Sequence, residues 1–230
     1  MKIRIGAALA AVVLVLTGCA SAPQLPVPLA PNALAIKPGK IGIVMTELPT
    51  PDTYLPGAGC LLCYAAAAAA NSSLTAHTKT LTTEDLPKLK EYIADVIRKK
   101  GTEVVIIPGN FDLDALPKTS KEGPNVARKD FSSLRTKYDV DKILVIDING
   151  LGFERTYSSY FPTSDPKAFV QGTGYVVNLT TNVYEWYAPI SIRKSADGAW
   201  DEPPKFPGLT NVYFFIIEAG KDSFIKPLSN

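Results

Sequence analysis

The chain has 230 residues, of which 46% are hydrophobic, and its 24 basic and 22 acidic residues give a formal net charge of +2. This near-neutral composition argues against a general nucleic-acid binder and against electrostatic steering as the main way of finding a partner. The length fits one domain with long loops, and no second apolar run reaches the roughly 18 residues that a membrane-spanning helix needs.

The first 18 residues have the pattern of a secretory signal peptide. Lys2 and Arg4 precede an apolar run over residues 5–16 that is too short to span a bilayer. The run Leu16-Thr17-Gly18-Cys19 resembles the lipobox of bacterial lipoprotein precursors. That resemblance implies cleavage before Cys19 and attachment of acyl chains, palmitate among them, to this residue. The alternative is a plain signal or membrane anchor with a chance cysteine.

The residue after Cys19 bears on the membrane to which the protein is attached. In the resembling lipoproteins an aspartate at that position usually retains the protein at the inner membrane, whereas this chain has Ala20. The resemblance therefore implies an outer-membrane lipoprotein that faces the periplasm. Anchoring would be stable because each buried methylene contributes about 0.8 kcal/mol and more than one acyl chain is present. Removal of the signal leaves 22 basic and 22 acidic residues.

Residues 19–38 are predicted to form a lipidated, proline-rich tether. Prolines at 23, 26, 28, 31 and 38 prevent a helix and interrupt sheet ladders. An extended linker follows from this composition. The alternative is a segment packed along the domain surface, because it contains the apolar residues Leu25, Val27, Leu29 and Leu34.

Residues 39–230 are predicted to form a single α/β domain in the periplasm. Apolar periodicity, caps and turn residues define its elements. The predicted elements are a strand at 41–45, helices at 60–71 and 83–100, a strand at 103–107, a short helix at 130–137, strands at 142–148, 169–179 and 182–192, and a closing helix at 209–225. The strand at 142 can continue to 157, and a strand is the alternative for the last segment.

We summarise this order as β-α-β-α-β-β-β-α. Crossover connections require parallel neighbours, whereas the three consecutive strands form an antiparallel meander. A single mixed sheet flanked by helices satisfies both requirements.

Two short segments resemble a group of envelope proteins. Lys137 to Ile146 is similar to a helix that ends in an acidic turn before a central strand, and Leu179 to Trp186 is similar to a two-strand turn closed by tryptophan. Both features occur in lipoproteins related to the TolB N-terminal domain, including CsgG and LpoB. The resemblance implies an accessory or scaffold role, with no catalytic residue to transfer. The chain departs from that group at Cys60, Cys63 and the alanine run.

Cys60 and Cys63 allow several interpretations. A local disulfide fits an oxidising compartment, and two buried thiols fit an apolar helix. A redox pair is also conceivable, since a helix start stabilises a thiolate. However, no tryptophan precedes the pair, as it does in the thioredoxin family.

The stretch from Ala58 to Ala70 is apolar and rich in small residues. We expect a core helix packed closely against the sheet. The alternative is a helix that enters a membrane surface or a partner's groove.

No metal, cofactor or catalytic constellation is predicted. His77 is the only histidine and stands in a polar stretch, so we expect it to be solvated. Two cysteines and one histidine do not complete a zinc pattern, and no nucleophile elbow or glycine-rich phosphate loop is present.

A possible partner surface lies where the long strand leaves the sheet. It comprises Phe153, Arg155, Tyr157, Tyr160 and Phe161. Exposed aromatic residues with arginine are typical of binding surfaces. The alternative is a hairpin whose aromatic residues cover the core.

These observations predict an outer-membrane lipoprotein that is not an enzyme and serves an envelope assembly or secretion machine as a non-catalytic accessory, scaffold or regulatory partner. Its partners would be the membrane, through the lipid, and an envelope protein complex, without nucleic acid; an oligomer is possible. The alternatives are a subunit of an oligomeric secretion channel and a periplasmic thiol/disulfide protein that uses Cys60 and Cys63.

Overall fold

The computed structural model describes residues 23–35 and 39–229. The signal, Cys19 and residues 36–38 lie outside the described residues. The strands are β1 (Lys40–Met45), β2 (Asp52–Tyr54), β3 (Glu103–Ile106), β4 (Lys142–Glu154), β5 (Tyr157–Ser158), β6 (Phe161–Pro162), β7 (Lys167–Asn178) and β8 (Val183–Ser195). The α-helices are α1 (Leu61–Ala70), α2 (Ser72–Thr78), α3 (Leu89–Lys99), α4 (Ser133–Tyr138) and α5 (Pro207–Ser229).

A mixed sheet organises the domain. Its strand order is β3-β1-β4-β7-β8, and β2 pairs with the end of β4. β1 runs parallel to β3 and β4, whereas β4, β7 and β8 form an antiparallel meander. The predicted fold class, one mixed sheet flanked by helices, is confirmed.

β4 defines the long axis of the domain. Its first half pairs with β1 and its last three residues pair with β2. Its 13 residues span about 40 Å at the usual rise of a strand. We call the end of the sheet where β4 begins the proximal end, and the end where it finishes the distal end.

Each face of the sheet has its own hydrophobic core. α3 and α5 cover one face, where Ile93, Ile97, Tyr213 and Phe224 are buried together. α4 and the preceding loop cover the other face around Phe131. The first half of β4 therefore contains an uninterrupted apolar run, residues 143–146, because its alternate side chains enter the two cores.

The helix predicted from residue 83 begins later. Glu84 has a left-handed backbone with φ of 47°, and Pro87 lies in a 3₁₀ turn before α3 starts at Leu89. The hydroxyl of Thr82 donates to the carboxylate of Glu84 instead of capping the helix. Leu89, Ile93 and Ile97, which recur at helical spacing, are buried as predicted.

The described part of the proline-rich segment lies against the domain. Val27 and Tyr187 exchange two backbone hydrogen bonds of 2.9 Å at the free edge of β8. Ala33 and Leu34 are buried, and the ammonium of Lys142 donates to the carbonyl of Ala33 at 2.8 Å. The segment is thus packed on the domain at Val27 and at Ala33–Leu34 rather than being an extended linker, while Leu25 is exposed.

Within residues 23–35 and 39–229, no helix has both the length and the apolar character required to cross a bilayer.

Candidate functional site: a distal apolar surface

The distal end of the domain carries a group of exposed hydrophobic side chains. They are Leu61, Leu62 and Tyr64 of α1, which are 85%, 70% and 54% exposed, and Tyr160 and Phe161 of the β5–β6 hairpin, which are 49% and 74% exposed. We call these five residues the distal apolar surface. Single exposed hydrophobic residues are ordinary, whereas a group on adjoining elements is a candidate interaction site.

α1 is exposed because it buries only a narrow stripe. Of its ten residues, Cys63 and Ala67 are buried, and they join a small cluster with Leu55, Ala58 and Tyr157. This cluster is separate from the two cores of the sheet. The prediction of a core helix is therefore wrong. A helix that is apolar all round is normally buried, so the fold of the isolated domain does not account for the composition of α1.

A tight backbone contact holds the hairpin against the loop before α1. The amide of Tyr157 donates to the carbonyl of Pro56 at 2.8 Å, and that of Ser159 donates to the carbonyl of Gly57 at 3.1 Å. Gly57 has a φ of +89°, and a Cβ at this position would lie 1.9 Å from the carbonyl oxygen of Tyr157. Only glycine allows the two segments to approach this closely.

The predicted partner surface is divided between interior and exterior. Phe153 is fully buried and packs 6.0 Å from the ring of Tyr213, and Tyr157 is buried as well. Their assignment to an exposed surface is wrong, because β4 continues to Glu154 and its alternation turns Phe153 into the core. Tyr160 and Phe161, beyond the strand, are exposed.

The side chain of Arg155 makes three contacts within the domain. Its Nε donates to the carbonyl of Ser164 at 3.1 Å, and its Nη1 donates to Oδ1 of Asn71 at 3.2 Å. Its guanidinium lies 4.8 Å from the ring centroid of Trp200. These contacts join the hairpin to α1 and to the loop before α5.

Cys60 and Cys63 are joined by a disulfide at the edge of the distal apolar surface. Cys60 is the N-cap of α1, and the amide of Cys63 donates to its Sγ at 2.9 Å. The two residues differ in burial, since Cys60 is exposed and Cys63 is 3% exposed. The hydroxyl of Tyr160 lies 3.8 Å from Cys60 Sγ, so the disulfide borders both halves of the surface.

The surface lies in a part of the chain without charges. Residues 53–78 and 156–164 contain no Asp, Glu, Lys or Arg. His77 falls in the first range, and its pKa is lowered by burial and, to a smaller extent, by the charge of Lys205. A ligand of this surface would therefore be recognised through shape and apolar contact rather than by ion pairs.

The described chain begins far from this surface. Nε2 of Gln24 donates to Oδ1 of Asn125 at 3.1 Å, and the carbonyl of Asn125 accepts from the amide of Tyr184, the second residue of β8, at 2.8 Å. Gln24 is thus near the proximal end. Cys19 stands five positions before Gln24 in the sequence, and a chain of that length reaches at most about 18 Å. The distal end is about 40 Å from the proximal end along β4.

His77 is half-buried, so the prediction of a solvated histidine is wrong. Its Nε2 lies 2.8 Å from the hydroxyl of Thr210, and its ring lies 5.5 Å from that of Phe206. These contacts dock α2 on the start of α5. Among residues 23–35 and 39–229, no group of three or more His, Cys, Asp or Glu side chains is arranged to hold a metal.

A polar crevice was not indicated by the sequence patterns. It has a volume of about 490 Å³ and lies after β1, with Glu47, Asp112 and Asp147 in its lining. The hydroxyl of Thr46 donates to the carboxylate of Asp147 at 2.9 Å. Burial raises the pKa of this carboxyl, and this effect is larger than the lowering by the hydrogen bond from Thr46. The crevice could have been expected from its position alone, because ligands of parallel sheets bind at the carboxyl ends of strands.

No model of a known protein family matches this chain, and no curated protein matches it. Three solved structures illustrate what the chain is similar to. A PelC dodecamer from Paraburkholderia phytofirmans has 13% identity and a TM-score of 0.34, covering 83% of this chain and 87% of that one. Lipoprotein GNA1162 from Neisseria meningitidis has 14% identity and a TM-score of 0.28, covering 80% and 97%.

The third structure is a putative neuraminyllactose-binding hemagglutinin homolog from Helicobacter pylori, with 11% identity and a TM-score of 0.27, covering 83% of this chain and 80% of that one. A bacterial lipoprotein is thus among the similar structures. At these scores the likeness carries no argument about function. The narrower resemblance to the TolB, CsgG and LpoB group stays a prediction.

Proposed function

We propose that this protein is a non-catalytic accessory protein of the bacterial cell envelope, anchored by a lipid on Cys19 and facing the periplasm from the outer membrane. In this role it binds a component of an envelope assembly or secretion machine as a scaffold or regulatory partner. The observation that carries the proposal is the exposed distal apolar surface, formed by Leu61, Leu62, Tyr64, Tyr160 and Phe161.

The chemistry of this surface suits a protein partner. Aromatic side chains are enriched at the centres of protein interfaces, where charged residues are depleted. Tyr160 and Phe161 supply the aromatic side chains, Leu61 and Leu62 supply aliphatic ones, and the surrounding segments contain no Asp, Glu, Lys or Arg. The partner's contacting face is therefore apolar and uncharged.

The position of the surface favours a partner over the lipid leaflet. Cys19 reaches at most about 18 Å from Gln24, which is bonded near the proximal end, whereas the surface lies at the distal end. A surface that served the anchoring leaflet would be expected beside the anchor, with basic residues facing anionic headgroups. In the proposed mechanism the lipid holds the domain at the membrane and the length of β4 sets the reach of the surface.

A site-specific crosslinking experiment tests this function. A photoreactive amino acid replaces Leu62 or Phe161 in the full-length protein in its native envelope, and the matched control replaces Tyr92, a partly exposed aromatic residue of α3. We expect one discrete protein adduct from the first two positions and none from Tyr92. Lipid adducts alone, adducts with a second copy of this chain alone, or equal adducts from all three positions would contradict the proposal.

A further inference from the structure

We propose that the Cys60–Cys63 disulfide is a thiol–disulfide exchange site that reacts with a cysteine-bearing polypeptide bound on the distal apolar surface. This inference rests on the proposed function for its substrate, because the polypeptide is the partner that docks there. It assigns that partner a chemical property, a pair of thiols within reach of Cys60.

The unequal exposure of the two cysteine residues makes the site directional. Cys60 is exposed and Cys63 is buried, so an incoming thiolate reaches Sγ of Cys60 and not that of Cys63. The two residues between them, Leu61 and Leu62, are among the most exposed hydrophobic residues of the described chain. A polypeptide in contact with these leucines is brought within reach of Cys60.

The start of α1 favours a thiolate at Cys60 once the disulfide has opened. The amide of Cys63 already donates to Cys60 Sγ at 2.9 Å, and this hydrogen bond becomes charge-assisted when the sulfur carries a negative charge. Cys60 is also the N-cap of a ten-residue helix, where the positive end of the helix dipole stabilises an anion. Both contacts favour the reduced form and make the disulfide a better oxidant.

A purely structural role explains the disulfide poorly. It joins Cys60 to the first turn of its own helix across a separation of three residues, so it links no two elements of the fold. The stabilisation by a crosslink through chain entropy is smallest for the shortest loops. The position of α1 is instead fixed by the backbone contacts of Gly57 and by the side chain of Asn71.

The exchange balances without an additional reactant. A thiolate of the partner attacks Cys60 Sγ, the Cys60–Cys63 bond breaks, and its electron pair goes to Cys63 Sγ, which takes up a proton. The partner's second thiolate then attacks the partner sulfur of the mixed disulfide and releases Cys60 as a thiolate. The partner dithiol has lost two electrons and become a disulfide, and this protein has gained them as a dithiol. Each molecule reacts once, in keeping with a non-catalytic role.

Reactivity with glutathione tests the site without any partner. The full-length lipidated protein in detergent is incubated with millimolar reduced glutathione, and free thiols are counted by a maleimide mass shift. In parallel, oxidised glutathione is added to the reduced Cys63→Ser and Cys60→Ser variants. The double variant Cys60→Ser/Cys63→Ser reports any signal from Cys19, and circular dichroism verifies the fold of each variant.

We expect glutathione to open the wild-type disulfide, and we expect Cys63→Ser to be glutathionylated at Cys60 at least about tenfold faster than Cys60→Ser, because exposure and thiolate character govern thiol reactivity. A pair that stays oxidised, as structural disulfides do in this buffer, would overturn the inference. Rates within twofold of each other would overturn it too.

A second experiment tests the site in the native envelope. In Cys63→Ser the thiolate of Cys60 attacks the disulfide form of the partner, and one partner sulfur leaves as a thiolate. No thiol at position 63 completes the exchange, so after free thiols are blocked with maleimide we expect a partner adduct that reducing agent removes and that Cys60→Ser lacks. If crosslinking from Leu62 captures a partner while glutathione leaves the pair oxidised, the inference fails and the proposed function stands. If the pair reacts with glutathione but Leu62 captures no protein, the proposed function fails and the assigned substrate fails with it.

Discussion

The side-chain amide of Asn71 donates a 2.7 Å hydrogen bond to the hydroxyl of Tyr157, a residue 86 positions further along the chain. The same amide group donates to the carbonyl of Ala67 at 2.7 Å, and Oδ1 accepts from Arg155. Asn71 is buried at the junction of α1 and α2. Through this residue the helical half and the hairpin half of the distal apolar surface are held in one arrangement.

Replacement of Asn71 tests this junction. Asn71→Ala leaves the hydroxyl of Tyr157 without its donor and Nη1 of Arg155 without the Oδ1 acceptor, so we expect a loss of about 1–3 kcal/mol in the free energy of unfolding. Tyr157→Phe removes one hydroxyl and should cost less, about 1 kcal/mol. Urea unfolding followed by circular dichroism measures both values. Wild-type stability in Asn71→Ala would show that the junction does not hold the two halves together.

Substitutions in α1 should separate function from stability. Leu61→Gln and Leu62→Gln change side chains that are mostly exposed, so we expect the free energy of unfolding to stay within about 0.5 kcal/mol of wild type. Crosslinking to the envelope partner should nevertheless fall by at least about tenfold, as expected when an interface loses a central apolar anchor.

The matched control for these variants is Ala67→Leu on the buried stripe of the same helix. Overpacking at this position should cost about 1–3 kcal/mol. Unfolding midpoints and crosslinking yields are compared across the three variants. A large loss of stability in Leu62→Gln, or an unchanged crosslinking yield, would show that α1 is not a binding element.

Loss of the lipid should release the protein. In Cys19→Ser the acceptor of the acyl chains is absent, so we expect the protein to move from the outer-membrane fraction to the soluble periplasmic fraction. Mass spectrometry of the wild-type protein should find a mature N-terminus at Cys19 that carries acyl chains. Ala20→Asp should shift the wild-type anchor toward the inner-membrane fraction. A wild-type protein that begins elsewhere and carries no acyl chain would contradict the anchor.

Stability should fall in mild acid because of His77. Burial lowers the pKa of this side chain below its ordinary value of about 6.5 in the folded protein. The unfolded chain then takes up a proton first as the pH falls, so the stabilisation is present above about pH 6.5 and is lost below it. His77→Gln should reduce this decline between pH 7 and pH 5. Equal pH dependence of unfolding in the two proteins would contradict the assignment.

The elements that the sequence predicted best are those whose pattern is local and repeated. The apolar spacing of α3 and the continuous apolar run of β4 both appear in the fold, because a helix that packs against a sheet and a strand buried on both faces leave periodic signatures. The start of α3 was missed because it depends on the left-handed residue Glu84 and on Pro87, which form a turn before the helix.

The candidate site was less predictable. The sequence pattern of α1 is typical of a buried helix because all its residues except Tyr64 are aliphatic or cysteine. Within residues 23–35 and 39–229, however, most of the helix surface is left exposed. Phe153 and Phe161 look alike in sequence, and only the point at which β4 leaves the sheet places one inside and the other outside.

The sequence by itself determined the composition of α1 and the mixed α/β class, and it predicts the signal with Cys19, since each follows from residue type, spacing and hydrophobic periodicity. The tertiary structure alone decided which apolar residues are exposed and that they lie at the end of the sheet opposite to Gln24. The reason is physical, because burial depends on what packs against a side chain. The contacts that assemble this surface join residues that are far apart in the sequence, such as Asn71 and Tyr157, which are 86 positions apart.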